Sequence, residues 1–226
     1  MTLKQKTNAG KSEMTKSSAI FVTGTDTDVG KTFFSKSLIS YFIENNLFAQ
    51  NEITYFKPIQ CGSPTDFDEV KSETGVDIYC SYSLAFPASP DYSSSLENID
   101  ISIDKIEADF KDLKQKYKFI IVEGAGGVAV PINKVSLVSD LIKRLDLETV
   151  IVIRPDLGTI NHTLLTIEHL KQKNIKIKGL FVSGKARELS NAYDISDLDK
   201  SKQNSTALKT IIEFTKLRKL EFNDFK

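Results

Sequence analysis

Gly24-Thr25-Asp26-Thr27-Asp28-Val29-Gly30-Lys31-Thr32 decides how the rest of the chain reads. An apolar run, residues 19–24, leads into it. Behind it, residues 32–46 have helical spacing, with Phe34, Leu38, Tyr41 and Phe42 on one side. A strand that ends in such a loop and passes directly into a helix aims backbone N–H groups and a helix N-terminus at one point, where an anion can be held. Lys31 adds a point charge there, and the Thr32 hydroxyl can ligate Mg²⁺. Gly-Lys-Thr alone also fits an exposed turn, but the strand before and the helix after favour a phosphate site. Five residues separate Gly24 from the Gly30-Lys31 pair, one more than in the common phosphate loop.

Outward from the loop, apolar runs recur at 53–57, 119–123, 150–154 and 178–183. Several are unbroken, such as Phe119-Ile120-Ile121-Val122 and Val150-Ile151-Val152-Ile153. Continuous runs suit strands of a parallel sheet covered on both faces. Helical spacing fills the gaps at 103–116 (Ile106, Phe110, Leu113) and 159–174 (Leu164, Ile167, Leu170). This alternation predicts a three-layer α/β/α domain with a mainly parallel sheet. Residues 58–102, rich in Ser, Pro and Asp, read as a long irregular section after the second strand, where substrate contacts are expected. Residues 206–220 (Leu208, Ile211, Ile212, Leu217) read as a last amphipathic helix, expected to pack on the domain rather than on a membrane surface.

Composition narrows the function. Thirty basic residues balance thirty acidic ones, which argues against a partner bound through bulk phosphate neutralisation, so no nucleic acid is expected. Two cysteines, Cys61 and Cys80, supply neither a disulfide framework nor a four-ligand zinc site, and His162 and His169 stand seven apart, too far for one ion. No run is long enough to span a membrane. Residues 1–18, with Lys4, Lys6, Lys11 and Lys16 but no apolar core, read as a mobile tail rather than a secretory signal, so a cytoplasmic address is expected. Met14 is an alternative start. Residues 19–226 read as a single nucleotide-binding catalytic domain.

With the two residues before Thr23, the loop region reads FVTGTDTDVGKT and resembles the signature of the dethiobiotin synthetases, ATP-dependent enzymes with a P-loop NTPase-like fold. Further stretches match that family in order: Lys57-Pro58-Ile59-Gln60-Cys61-Gly62, residues 66–75, Val122-Glu123-Gly124-Ala125-Gly126-Gly127, and Leu157-Gly158-Thr159-Ile160-Asn161-His162. The resemblance implies a ligase that forms the ureido ring of dethiobiotin from 7,8-diaminononanoate, CO2 and ATP, in biotin biosynthesis. It implies ATP contacts from Asp28, Val29, Gly30, Lys31, Thr32 and Phe33, from Asp66, from Glu123, Gly124, Ala125 and Gly126, and from Ser183. Substrate contacts are implied for Thr27, Lys57, Cys61, Gly127 and Asn161, and Mg²⁺ ligation for Thr32, Asp66 and Glu123. Lys57 and Lys31 are the implied catalytic cations, and a homodimer with Leu157–His162 near the partner is the implied assembly.

The residues bear on these roles independently. Glu123 ends a strand, where phosphate-loop enzymes present an acid to Mg²⁺. Asp68 is the register alternative to Asp66. Lys57 fits a snorkelling strand end as well as a second cation on a transferred phosphoryl group. Cys61 replaces the family's Ser or Thr, Asp91 its common His, and Ser183 its usual Asn. Two other readings stand beside the synthetase: a dimeric switch ATPase of the partitioning type, and a family member that folds without turnover.

Overall fold

The computed structural model describes residues 17–183 and 200–225. The expected tail and Met14 fall largely outside these residues, as does most of the polar stretch after Ser183. A six-stranded sheet forms the middle layer. Its strands are β1 (Ser18–Gly24), β2 (Ile53–Phe56), β4 (Asp77–Tyr79), β6 (Phe119–Gly127), β7 (Glu148–Ile153) and β8 (Ile177–Val182), in the order β4-β2-β6-β1-β7-β8. Every neighbouring pair is parallel.

Side chains alternate between the two faces of this sheet. Phe21, Ile120 and Val122 pack under α4 (Ile103–Lys116), α5 (Val138–Leu145) and α6 (Thr159–Gln172), while Val22, Tyr55 and Ile121 pack under α1 (Lys31–Glu44). Both faces are therefore dry, which is why the strands read as unbroken apolar runs. Most of the expected helical faces are buried, Phe34, Leu38 and Phe42 on α1, Ile106, Phe110 and Leu113 on α4, and Ile167 and Leu170 on α6, whereas Tyr41 and Leu164 are half-buried. Each fully buried residue of this kind contributes roughly 1.5–3 kcal/mol.

Residues 58–102 are more ordered than the sequence suggests. β3 (Ile59–Cys61) and β5 (Tyr82–Leu84) pair in a second, two-stranded parallel sheet, β4 extends the edge of the main sheet, and α2 (Asp66–Thr74) and α3 (Pro90–Leu96) complete the section. Strands of three residues are too short to show a period, so composition alone marks them as loop. The last helix differs too. α7 (Lys200–Thr215) stops before residue 220, because Lys216 turns left-handed (φ 61°) and the chain then runs beside β8, where Leu220 N–H donates to the Leu180 carbonyl at 2.7 Å. Leu217 still packs on the core, and the following turn seats Phe222 and Phe225 against Phe34 of α1.

Candidate active site

β1 delivers the chain to Gly24 and α1 begins at Lys31, so the loop between them sits at the C-terminal edge of the sheet, beside the ends of β6 and β7. Val29, fully buried, roots the loop in the core. Asp28 (φ 56°) and Gly30 (φ 98°) take left-handed conformations that fold the backbone into a concave turn. Gly30 is required for a second reason. A Cβ there would stand 2.2 Å from the Ser183 hydroxyl at the end of β8.

Four polar side chains from four elements meet over this loop. The register of β2 against β6 pairs Phe56 with Val122, so the next residues, Lys57 and Glu123, emerge side by side. Lys57 Nζ lies 3.1 Å from Glu123 Oε1 and also bonds Asp66, the first residue of α2. The Thr32 hydroxyl lies 3.0 Å from Glu123 Oε1 and 3.1 Å from Asp66 Oδ1. Glu123 is wholly buried. A buried carboxylate is tolerated only when paired and hydrogen-bonded, and Lys57 provides the pairing. The second carboxylate oxygen is held by Ser35 of α1, whose hydroxyl is 2.7 Å from Oε2.

The two buried lysines are in opposite electrostatic situations. Burial dominates at Lys31 and, with the neighbouring Lys57, lowers its pKa to about 8 against the pull of Glu123, Asp66 and Asp28. Burial also presses on Lys57, but Glu123 and Asp66 outweigh it and hold its pKa above the ordinary lysine value. Lys57 is thus a fixed cation, whereas Lys31 can titrate. The Lys31 ammonium donates to the Asp26 carbonyl at 2.9 Å.

A cleft of about 690 Å³ opens over this cluster. Of the sequence-nominated residues, Thr27, Asp28, Gly30, Lys31, Thr32, Phe33, Lys57, Cys61, Asp66, Glu123, Ala125 and Gly126 line it, with residues 87–90 forming the opposite wall. Burial pushes the Cys61 thiol up, so it presents a neutral, weak donor to the cleft. Between Asp66 and Asp68 the geometry selects Asp66, since Asp68 is engaged with Thr65, the N-cap of α2.

Five nominated residues do not line the cleft. Val29 and Ser183 lie beneath the loop, and Gly124 packs on the Phe21 ring, which a Cβ would approach to 2.8 Å. Gly127 stands opposite Gly24 in the register of β6 and β1. Asn161 is exposed on the first turn of α6. Asp91 lines a separate groove beside Asn133 and Lys134.

Three residues of this region escaped the sequence reading. Ser35 orients Glu123. Gln60 accepts the Asp66 N–H at 3.4 Å and donates to the Cys61 and Gly62 carbonyls, shaping the turn into α2. Arg154, at the end of β7, contacts the phosphate loop from behind. Arg154-Pro155 repeats the pattern of Lys57-Pro58, a cation at a strand end before proline, and that repeat was the available signal.

The chain resembles known proteins along most of its length. A family model described as an AAA domain matches residues 18–220. The ATP-dependent dethiobiotin synthetase BioD of Methanococcus vannielii is 42% identical over 199 residues, covering 86% of this chain and 88% of its own. The protein of the same name from Methanococcus aeolicus is 47% identical over 170 residues, covering 73% and 78%. Among solved structures, the MinC:MinD cell division complex of Aquifex aeolicus superposes with a TM-score of 0.55 at 14% identity, covering 90% of this chain and 79% of that one. The kinase domain of the Escherichia coli tyrosine kinase ETK gives 0.51 at 19% identity, covering 79% and 72%. These structural likenesses are of fold alone, the three-layer α/β/α arrangement.

Proposed function

The chain belongs to the ATP-dependent dethiobiotin synthetases, ligases of biotin biosynthesis that form C–N bonds, and from that premise we propose how its residues divide the work. The observation that carries the reading is the meeting of Thr32, Asp66, Glu123 and Lys57 beside Lys31, in one cleft. The substrates are 7,8-diaminononanoate, CO2 and ATP. One amine takes up CO2 as a carbamate, the carbamate oxygen attacks the γ-phosphorus, and the second amine displaces phosphate from the resulting mixed anhydride to close the ureido ring.

Backbone N–H groups of residues 28–32 and the Lys31 ammonium bind the triphosphate. Lys57, kept charged by its two carboxylates, faces the carbamate and the transferred phosphoryl group and steadies the charge that builds up between them. Both groups act by position and charge, and no covalent nucleophile is needed. A hydroxyl and two carboxylates are hard oxygen donors of the kind that hold Mg²⁺ together with phosphates, so Thr32, Asp66 and Glu123 fit that ion. An ion held by these three side chains would supply charge neutralisation to the nucleotide's phosphates. Thr27 and Cys61 lie on the substrate side of the cleft, and Asn161 would reach substrate only across a subunit boundary.

We assign a homodimer on that ground and because two large apolar side chains, Leu157 just before α6 (90% exposed) and Leu165 within it (62% exposed), are left uncovered. A cytoplasmic address goes with the biosynthetic role; among the described residues no helix is long and apolar enough to cross a membrane. The switch-ATPase alternative is not favoured, since the likeness to MinD is one of fold only.

Incubating the protein with diaminononanoate, bicarbonate, Mg²⁺ and ATP should release ADP and dethiobiotin together, followed by coupled assay and mass spectrometry. ATP hydrolysis indifferent to the diamine, or no turnover at all, would refute the assignment. Light scattering in solution tests the dimer.

A further inference from the structure

A loop that turns its N–H groups toward an anion must turn carbonyls the other way, and of this loop's two carboxylates, Asp28 faces the cleft while Asp26 lies behind it, its carbonyl accepting from the Lys31 ammonium at 2.9 Å. The outward carbonyls and the Asp26 carboxylate are liabilities. Arg154 answers both from behind the loop. Its side chain is only 10% exposed and does not line the cleft. Nη2 pairs with Asp26 Oδ2 at 3.2 Å, Nη1 makes a long contact of 3.5 Å to the Thr27 carbonyl, and Nε pairs with Asp156 at 3.2 Å. Asp26 is tied on its other side as well, its carboxylate accepting the Thr27 N–H at 2.7 Å.

We propose that Arg154 is a positioning residue for nucleotide binding: from the end of β7 it fixes the Asp26–Thr27 arm of the phosphate loop and cancels the Asp26 charge that would otherwise oppose a triphosphate. The inference rests on the reading of this loop as the nucleotide site. Its physical basis is the asymmetry between the partners. Asp26 is 47% exposed and survives the loss of its cation as a solvated anion, while remaining within Coulomb reach of the phosphates. Removing Arg154 therefore leaves the loop both less constrained and more negative. Arg154 touches no reacting atom, so binding suffers first.

The test is calorimetric titration of the full chain with a non-hydrolysable ATP analogue plus Mg²⁺, using wild type, Arg154→Met, Arg154→Lys, Asp26→Asn and the Arg154→Met/Asp26→Asn double variant. Loss of a charge partner at a binding loop should weaken the analogue about tenfold in Arg154→Met. Lysine should recover part of that loss, because it keeps the charge without the planar fork. Asp26→Asn should gain more affinity in the Arg154→Met background than in wild type, where Arg154 already cancels the charge, a non-additive rescue that a merely structural role of the arginine would not produce. In turnover assays the KM for ATP should rise by about the same factor, with the KM for the diamine within about twofold of wild type. Arg154→Met binding like wild type, or an Asp26→Asn gain no larger in the Arg154→Met background than in wild type, overturns the proposal while leaving the site assignment intact. A wild-type chain that does not bind the analogue overturns both.

Discussion

The charge state of Lys31 makes the phosphate site measurably dependent on pH. Burial lowers its pKa from 10.5 to about 8, which amounts to roughly 3 kcal/mol against the charged form. A triphosphate recruits only that charged form, and a bound polyanion restores the ordinary preference for it. On these values the free protein holds Lys31 about nine-tenths charged at pH 7, half charged at pH 8 and one-tenth charged at pH 9. Affinity should be highest below pH 8 and fall as pH rises, by about tenfold between pH 7 and 9, with uptake of roughly half a proton on binding at pH 8. The terminal phosphate of the nucleotide titrates near ~6 and contributes little at the upper end of this window. Titration of an ATP analogue at pH 7, 8 and 9, in buffer pairs of different ionisation enthalpy, reads both quantities. Lys31→Arg, which stays charged, should flatten the profile. Replacing Lys57, one of the groups that lower the pKa of Lys31, should move the midpoint upward. Equal affinity at pH 7 and 9 without buffer-dependent heat would refute the reasoning.

Three further outcomes follow from the same contacts. Lys57→Met, assayed at pH 7 where Lys31 is already charged, should cut kcat by about 10²–10³ while leaving analogue affinity within about threefold, since the cation is assigned to the transition state rather than to binding; unchanged turnover rejects that role. Ser35→Ala takes the hydroxyl partner from Glu123 Oε2 and should cost about 1–3 kcal/mol of stability in urea unfolding, and an unmoved midpoint would show that the contact carries nothing. Gly30→Ala combines a left-handed backbone with a Cβ 2.2 Å from the Ser183 hydroxyl. It should lower the thermal midpoint and abolish analogue binding, and adding Ser183→Gly should recover only part, because the clash goes and the backbone strain of about 1–2 kcal/mol stays.

Much of the fold was legible because its signals are local. The unbroken run at β6 and the spaced Ile106, Phe110 and Leu113 of α4 each declare their element within a dozen residues. Where the sequence misled, the deciding contact was distant or the element too short. β3 and β5 are three residues each and hold one another across an intervening helix and strand, and the helix expected to reach residue 220 is cut short because that segment finds hydrogen bonds on β8. Residue type and position nominated Lys31, Thr32, Lys57 and Glu123, and family likeness sharpened their roles and added Asp66. Their convergence came from strand register and from the packing of α2 on α1.

By itself, then, the sequence determined a phosphate loop between a strand and a helix and the chemistry of the groups available to it, because backbone conformation and side-chain type are properties of adjacent residues. Tertiary structure alone decided that Asp66, preferred over Asp68 on family likeness, meets Thr32 and Lys57 at one point, that Ser35 turns Glu123, that Arg154 braces the loop, and that Lys31 titrates while Lys57 does not. The physical reason is common to all four. Hydrogen-bond partnership and pKa depend on distance and desolvation, which are set only when segments far apart in the chain are folded against one another.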